Sequence, residues 1–330
     1  MEWMVSEGWH VSLNILASCY KLDPNGWFAA VTNDTNELIG KSSGLLTSHF
    51  NCIVQHLVSG AIPFSWLCRS MYTITATSMT HYVITPSAGS ITGCRLDDDT
   101  AFGGFFIVRP DWRKRGVGKA LWDVRMTYLG QRNFGIDAVE ARVKYDSENG
   151  FKHVSFAIAA YLGPLDGAKL STVASLDGGL VLRKLANAPG EVDKLLAYDT
   201  KMHVVPRRAC MQQWITPATT TTYMVNNSSN DDVMGYGCIQ PMEGGHYHVG
   251  PVFADTPAIG EHLLGKLFEC VPPGKKVGFD IPVANNTARK LAAEHGLVEE
   301  LKLYRMYTHR VPQFEMEKVF AFTTMGIALV

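Results

Sequence analysis

The 330-residue chain has no apolar run near the ~20 residues that a membrane-spanning helix needs; its longest, Val154–Gly163, is about ten residues. No C-x-x-C pair occurs among the seven cysteines Cys19, Cys52, Cys68, Cys94, Cys210, Cys238 and Cys270. Their odd number and wide spacing signal neither a disulfide framework nor a zinc knuckle, so reduced thiols and no metal are expected. Excess charge is missing too. Thirty Lys+Arg stand against 31 Asp+Glu, a formal charge of −1, which supplies no overall field for nucleic acid or an anionic membrane, and neither is expected as a partner. The first residues, Met1-Glu2-Trp3-Met4-Val5-Ser6-Glu7, are acidic where a secretory leader is basic. A cytoplasmic location is the expectation.

What is present is a globular composition, 46% hydrophobic and 18% charged, in a chain long enough for about two domains. Strand-length apolar runs alternate with helical stretches, the pattern of an α/β chain with a mixed sheet. The order repeats. A strand at Phe105–Val108, a helix at Gly116–Tyr128, a strand at Ile136–Ala141, a helical stretch at Lys144–Asn149 and a Gly150-Phe151 turn are followed by a further strand. In the second half come Tyr247–Phe253, Ala258–Cys270, Val277–Ile281, Thr287–His295 and a Gly296-Leu297 turn, then strands at Leu303–Thr308 and Lys318–Thr323. Self-similarity at half the chain length indicates duplication, with domains expected at 1–165 and 176–330. The Gly/Asp/Ser-rich stretch Gly163–Gly179 is the expected link.

Ser42–Cys94 departs from this pattern: its only Asp, Glu, Lys or Arg is Arg69, and it is crowded with Ser, Thr and Gly. So long a connection is expected to be an insertion or translated non-coding sequence, of low order and with few long-range contacts through most of it, with an ordinary pair of extra strands as the alternative.

The chemistry-bearing stretch is Ile107-Val108-Arg109-Pro110-Asp111-Trp112-Arg113-Lys114-Arg115-Gly116-Val117-Gly118-Lys119. A strand ends, a cationic loop follows, and two glycines open a helix on which Val117, Leu121 and Val124 share a face. Glycines allow close backbone approach, the first helical N–H groups are without helical acceptors, and the helix dipole favours an anion there. Basic residues at a helix start oppose that dipole, so Arg113, Lys114, Arg115 and Lys119 are easiest to understand with an anion bound. It is not a Walker A loop, because G-x-x-x-x-G-K-[ST] is absent, and not a Rossmann fingerprint, because Leu121 stands at the third glycine position.

At these residues the chain resembles the GNAT superfamily of acyl-CoA-dependent N-acyltransferases. Arg113-Lys-Arg-Gly116-Val-Gly118 is similar to that family's R/Q-x-x-G-x-G/A pyrophosphate loop, and Ile136–Ala141 with Gly150-Phe151 to its next strand and helix-ending turn. The second half resembles a YitH-type GNAT-like domain through Val249-Gly-Pro-Val-Phe-Ala-Asp255, Phe279-Asp-Ile-Pro-Val-Ala-Asn285-Asn286, Arg305-Met-Tyr307 and Val319-Phe-Ala-Phe-Thr-Thr. The resemblance implies two GNAT-like domains, a mixed sheet splayed between strands Phe105–Val108 and Ile136–Ala141, and acetyl-CoA or another short acyl-CoA as co-substrate. The pantetheine arm would lie in the gap while an amine acceptor attacks the thioester directly. Ile107 and Val108 would offer backbone N–H groups to the thioester carbonyl, and residues 113–119 would hold the pyrophosphate. The family's leaving-thiolate acid is a Tyr four residues before the Gly-Phe turn; Tyr145 lies five before Gly150. A general base often comes from a Glu on the central strand, where this chain has Phe105 and Phe106; Asp97, Asp98 and Asp99 nearby and Glu140 on the next strand are the candidates, and a positioned water could serve instead.

The second half reads Asp255-Thr-Pro-Ala-Ile-Gly260-Glu-His at the equivalent of the loop, with no cation, so it is expected to hold no cofactor. Its polar candidates are Asp199, Arg207, Arg208, Tyr236, His246, His248, Asp280 and Asn285. Against the enzyme reading stands an inactive CoA-binding or scaffolding protein of the same fold. Acceptor identity, acyl length and oligomeric state are not written in these motifs.

Overall fold

The computed structural model describes residues 13–23, 25–31, 72–78, 81–165, 176, 178–186, 188–203, 205, 207–242 and 244–324. Packing divides the chain at Phe134/Gly135 into two units. The sequence repeat, 1–165 against 176–330, is a division by ancestry and stays a proposal.

In the first unit, helix α1 (Leu13–Leu22) precedes β1 (Trp27–Val31), β2 (Tyr72–Ser78) and β3 (His81–Thr92), followed by β4 (Cys94–Arg95), β5 (Thr100–Phe102) and β6 (Ile107–Val108). The expectation of low order in Ser42–Cys94 is corrected for residues 72–78 and 81–92, where the alternative of extra strands holds. Residues 42–71 and 79–80 lie outside the described residues, but 72–78 and 81–92 form strands, and β3 pairs antiparallel with β1, β2 and β6. Ala88, Ser90, Ile91 and Thr92 are buried. Around Gly89 and Ser90, where β3 is paired on both edges and buried, the lack of charge fits the interior of a sheet.

Helix α2 (Val117–Leu129) lies on this sheet. Its face bearing Val117 and Leu121 packs with Phe28, Ala30, Ala88, Ile91 and Trp112, as the 3–4 spacing dictates. Glycines bound it on both sides: Gly116 at φ +83° and Gly130 at φ +64°, the left-handed region that costs glycine little.

The second unit holds β7 (Asn133–Val139), counted from Gly135, then α3 (Glu140–Glu148), β8 (His153–Pro164), β9 (Leu180–Lys184), α4 (Pro189–Met202), α5 (Arg208–Ile215), β10 (Thr221–Asn227), β11 (Val233–Pro241) and β12 (Tyr247–Ala254). After these come α6 (Pro257–Phe268), β13 (Lys276–Pro282), α7 (Asn286–Glu294), β14 (Val298–Tyr307) and β15 (Val319–Ala321). The strand order is β7-β14-β8-β13-β12-β11-β10-β9. Strands of the two sequence repeats therefore alternate: β14 of the second pairs with β7 and β8 of the first, and β8 pairs with β13. Each repeat lends a strand to the other's sheet. The register sets Arg305 directly opposite Asp137, and the two form a fully buried ion pair, Nε to Oδ1 at 2.5 Å and Nη2 to Oδ2 at 2.9 Å. The core lies between this sheet and α6, whose Ile259, Leu263, Leu264, Leu267 and Phe268 are buried against Val252, Phe279 and Phe320.

Two sequence-derived bounds shift at the site. The strand expected over Phe105–Val108 is cut to Ile107–Val108, and the strand expected over Ile136–Ala141 ends at Val139, so that Glu140 opens α3 rather than lying on a strand.

Candidate functional site

The cationic loop and the two glycines sit where a strand hands over to a helix. Gly116 is the left-handed N-cap of α2, with no side chain capping the helix, and the first helical bond is Ala120 N–H to the Gly116 carbonyl at 3.0 Å. The N–H groups of Val117, Gly118 and Lys119 therefore precede the first helical donor. Space is open over them: a Cβ built on Gly116 meets nothing within 4 Å. One on Gly118 meets the Phe106 ring at 3.4 Å and Val108 at 3.6 Å, ordinary contacts.

Arg113 Nε donates to the Val108 carbonyl at 3.0 Å, folding the loop back onto β6. Arg109 is neutralised by a two-pronged bond to Asp111 at 2.9 and 2.6 Å, and Lys119 pairs with Asp123 one turn on at 2.5 Å. Arg115 lies 5.0 Å above the Trp112 ring. Lys114, at φ +62°, and Arg115 are exposed and meet no carboxylate among the described residues. The loop thus keeps two uncompensated cations beside the exposed helix start, an arrangement suited to a phosphate or pyrophosphate.

Just before the loop, the strand is broken by a bulge. Thr92 holds Gly104 by three bonds: its N–H to the Gly104 carbonyl at 2.9 Å, its hydroxyl to the same carbonyl at 3.0 Å, and the Gly104 N–H to that hydroxyl at 3.0 Å. Phe105 is forced to φ +46°, and the Ser90 hydroxyl donates to its carbonyl at 3.3 Å. Pairing resumes at Ser90↔Ile107 and Gly89↔Val108. Successive strand amides point to opposite edges, so one of the Ile107 and Val108 N–H groups faces β3 and the other faces away. Phe106 projects outward, 36% exposed, with its ring 6.1 Å from Trp122. No acidic side chain occupies the bulge, in keeping with the Phe105-Phe106 reading.

Tyr145 is 51% exposed on α3, with the Arg142 guanidinium 4.1 Å over its ring. Glu140 is exposed at the N-terminus of the same helix and accepts a 3.4 Å bond from the Tyr304 hydroxyl. Asp97 caps the turn to Thr100, its carboxylate accepting from the N–H of Asp99 at 2.9 Å and of Thr100 at 2.6 Å.

The polar candidates of the second half split. Asp199, Arg207 and Tyr236 do meet, but in the core. Arg207 bonds both Asp199 oxygens at 3.1 and 2.7 Å and donates to the Thr323 hydroxyl at 2.7 Å, while the Tyr236 hydroxyl donates to Asp199 at 2.5 Å. Burial alone would push the Asp199 carboxyl up, but Arg207 outweighs it and holds the group below the usual range. His203, beside them, is pushed down to about 3 by burial and then by Arg207. Arg208 lies elsewhere, exposed and paired with Asp193. His248 Nε2 meets the Thr323 carbonyl at 2.9 Å, and Asn285 caps α7 by accepting from Ala288 N–H at 3.0 Å. His246 and Asp280 are buried. Water-excluded groups that are paired with one another hold a core together. The Asp137–Arg305 pair escaped the sequence reading; its signal was one opposite charge in the middle of each of two apolar strands.

Comparison with known proteins agrees with this geometry. Residues 77–150 match the Acetyltransferase (GNAT) family, and residues 195–321 match the Acetyltransferase (GNAT) domain. The chain carries two GNAT acetyltransferase domains in tandem. Its enzyme class is that of acyl-CoA-dependent acyltransferases. The first match begins inside the stretch expected to be foreign, as the pairing of β3 requires. Among relatives, the chain is 24% identical to holothin acyltransferase of Pseudoalteromonas sp. (strain SANK 73390) over 247 residues, 74% of this chain and 79% of that protein. In fold it is similar to a solved structure from Pyrococcus horikoshii, with TM-score 0.56 and 16% identity over 73% of this chain and 76% of that one. It is also similar to a tandem GNAT protein from the clavulanic acid biosynthesis pathway, with TM-score 0.50 and 15% identity over 67% and 79%. Among the described residues no helix is long and apolar enough to cross a membrane, and no group of three or more His, Cys, Asp or Glu is placed to hold a metal.

Proposed function

We propose that the chain transfers an acetyl or other short acyl group from acyl-CoA to an amine, and that the first half carries the cofactor site. The observation that carries this reading is the open helix start at Gly116–Lys119 flanked by Lys114 and Arg115. Three N–H groups precede the first helical donor there, two cations without a carboxylate partner among the described residues flank them, and the space beside Gly116 is open. The pyrophosphate of acyl-CoA supplies the matching charge, and Arg113, bonded to Val108, ties the loop to the strand that meets the rest of the cofactor.

In this reading the outward-facing amide of Ile107 or Val108 donates to the thioester carbonyl, where negative charge builds as the amine attacks. The bulge at Phe105 sets the amide's direction. The amine nitrogen bonds to the carbonyl carbon, the C–S bond breaks, and the thiolate takes a proton. Tyr145 is the proposed donor of that proton and Glu140 the proposed acceptor of the proton lost by the amine. Acyl transfer also fits the name of the relative holothin acyltransferase.

Release of free thiol from acetyl-CoA across a panel of amines tests the activity. A parent chain that releases thiol only with an amine present supports it; no release with any amine, while acetyl-CoA binds tightly, favours the inactive CoA-binding alternative. Tyr145→Phe is expected to lower kcat with the KM for acetyl-CoA unchanged, and an unchanged kcat removes Tyr145 from the mechanism.

A further inference from the structure

In the second half a pair of parallel strands splays apart, and a segment of the chain lies in the gap. Parallel β12 and β13 pair only over Tyr247–Val249 and Val277–Phe279. Past Gly250 they separate, and β15 enters: Val252 faces Ala321 and Phe253 faces Val319 in antiparallel pairing. From the opposite wall, the Asp280 carbonyl accepts from Phe322 N–H at 2.8 Å. The segment is anchored at both ends, by Asn285 Nδ2 donating to the Val319 carbonyl at 2.8 Å and by Arg207 and His248 on Thr323.

The contact with the helix start is equally close. Gly260 is the fourth residue of α6, where Gly118 is the second of α2, and a Cβ built on Gly260 would lie 2.4–2.5 Å from the Phe320 ring. A Cβ on Gly250 would lie 2.1 Å from the Phe322 carbonyl oxygen. Both glycines admit this segment, whose residues from Val319 to Thr323 are all buried.

We infer that residues Val319–Thr324 are the built-in occupant of the second half's splay: a peptide strand of the chain itself, where the first half takes an acyl-CoA arm. The chemistry is shared, because both are extended chains offering amide N–H and C=O groups to a strand edge. That the gap is a cofactor position rests on the acyltransferase reading above; the occupancy itself does not. A tethered occupant acts at an effective concentration on the order of millimolar or more, so a free ligand of similar intrinsic affinity at lower concentration does not displace it. Loss of the cations from Asp255–Glu261 accords with this, since a neutral strand needs no anion cradle.

Backbone hydrogen exchange on the full chain, with and without millimolar coenzyme A, tests the inference. Slow exchange at Ala321 and Phe322, unchanged by coenzyme A, is expected. Fast exchange there without ligand, or a faster rate on adding coenzyme A, would overturn it. The same pair of measurements on Lys114→Glu/Arg115→Glu separates the two readings. Coenzyme A protecting 107–120 in the parent but not in this variant, with 319–322 unmoved in both, is the expected result. Protection confined to 247–265 places the ligand in the second half and overturns the occupancy while leaving an acyltransferase. No protection anywhere overturns cofactor binding while slow exchange at 321–322 still supports the occupant.

Discussion

Two glycines, second in α2 and fourth in α6, show how the two helix starts differ. Gly118 follows a loop with exposed Lys114 and Arg115, and the neighbouring Gly116 has open space above it. Gly260 follows Asp255-Thr256-Pro257 and is pressed against Phe320. Thr256 caps this second helix, its hydroxyl accepting from Ile259 N–H at 3.4 Å, whereas no side chain caps the first. A helix start satisfied from within has no need of a ligand; one left unsatisfied and surrounded by cations does.

The largest effects test what replaced the ligand in the second half. Phe320→Ala leaves a hole against α6 and is expected to cost about 3–5 kcal/mol of stability by denaturant titration; a loss under about 1 kcal/mol would mean that the segment packs loosely. Arg305→Met strips the partner from buried Asp137 and is expected to cost about 3–5 kcal/mol. The double change Asp137→Leu/Arg305→Met should recover much of that, because no unpaired charge then remains in the core.

An intermediate effect comes from pH. The His203 imidazole is held near 3 when folded but has an ordinary value near 6.5 when unfolded. The unfolded chain therefore binds more protons between these values, and stability falls as pH drops from about 6.5 towards 3, by up to about 1.4 kcal/mol per pH unit from this residue. His203→Gln should flatten that slope; an unchanged slope assigns it to other groups.

The smallest effects compare the two glycines directly. Gly118→Ala adds a methyl at ordinary contact distance inside a helix, so stability should hold or rise by up to about 1 kcal/mol. Gly260→Ala forces a methyl into the Phe320 ring and should cost about 1–3 kcal/mol. Equal outcomes in thermal melts would erase the distinction between the two helix starts.

Much of this was legible in the sequence because it is local. The loop-and-glycine start of α2, the α6 and α7 helices and the cation-free Asp255–Glu261 loop are all written in consecutive residues. Glu140 was misplaced because a strand and the first turn of a helix share a residue boundary that periodicity does not resolve. The two strands between Tyr72 and Thr92 were misjudged for a different reason: lack of charge looks foreign until β3 proves to be paired on both edges. Strand exchange was invisible, since β14 could satisfy its alternation beside any partner, and only the register that joins Asp137 to Arg305 reveals which. Occupancy of the second splay by Val319–Ala321 was invisible likewise, as the segment reads as one more strand until its neighbours are known.

The central claim, that one half holds acyl-CoA and the other holds its own chain, is tested most directly by counting bound cofactor. Isothermal titration of the full chain with acetyl-CoA should give one equivalent per chain. Lys114→Glu/Arg115→Glu removes two charge-assisted contacts worth about 1.5–3 kcal/mol each, so affinity should fall by at least about 100-fold with the melting temperature unchanged. Two equivalents in the parent, or one equivalent surviving undiminished in the variant, would contradict the account.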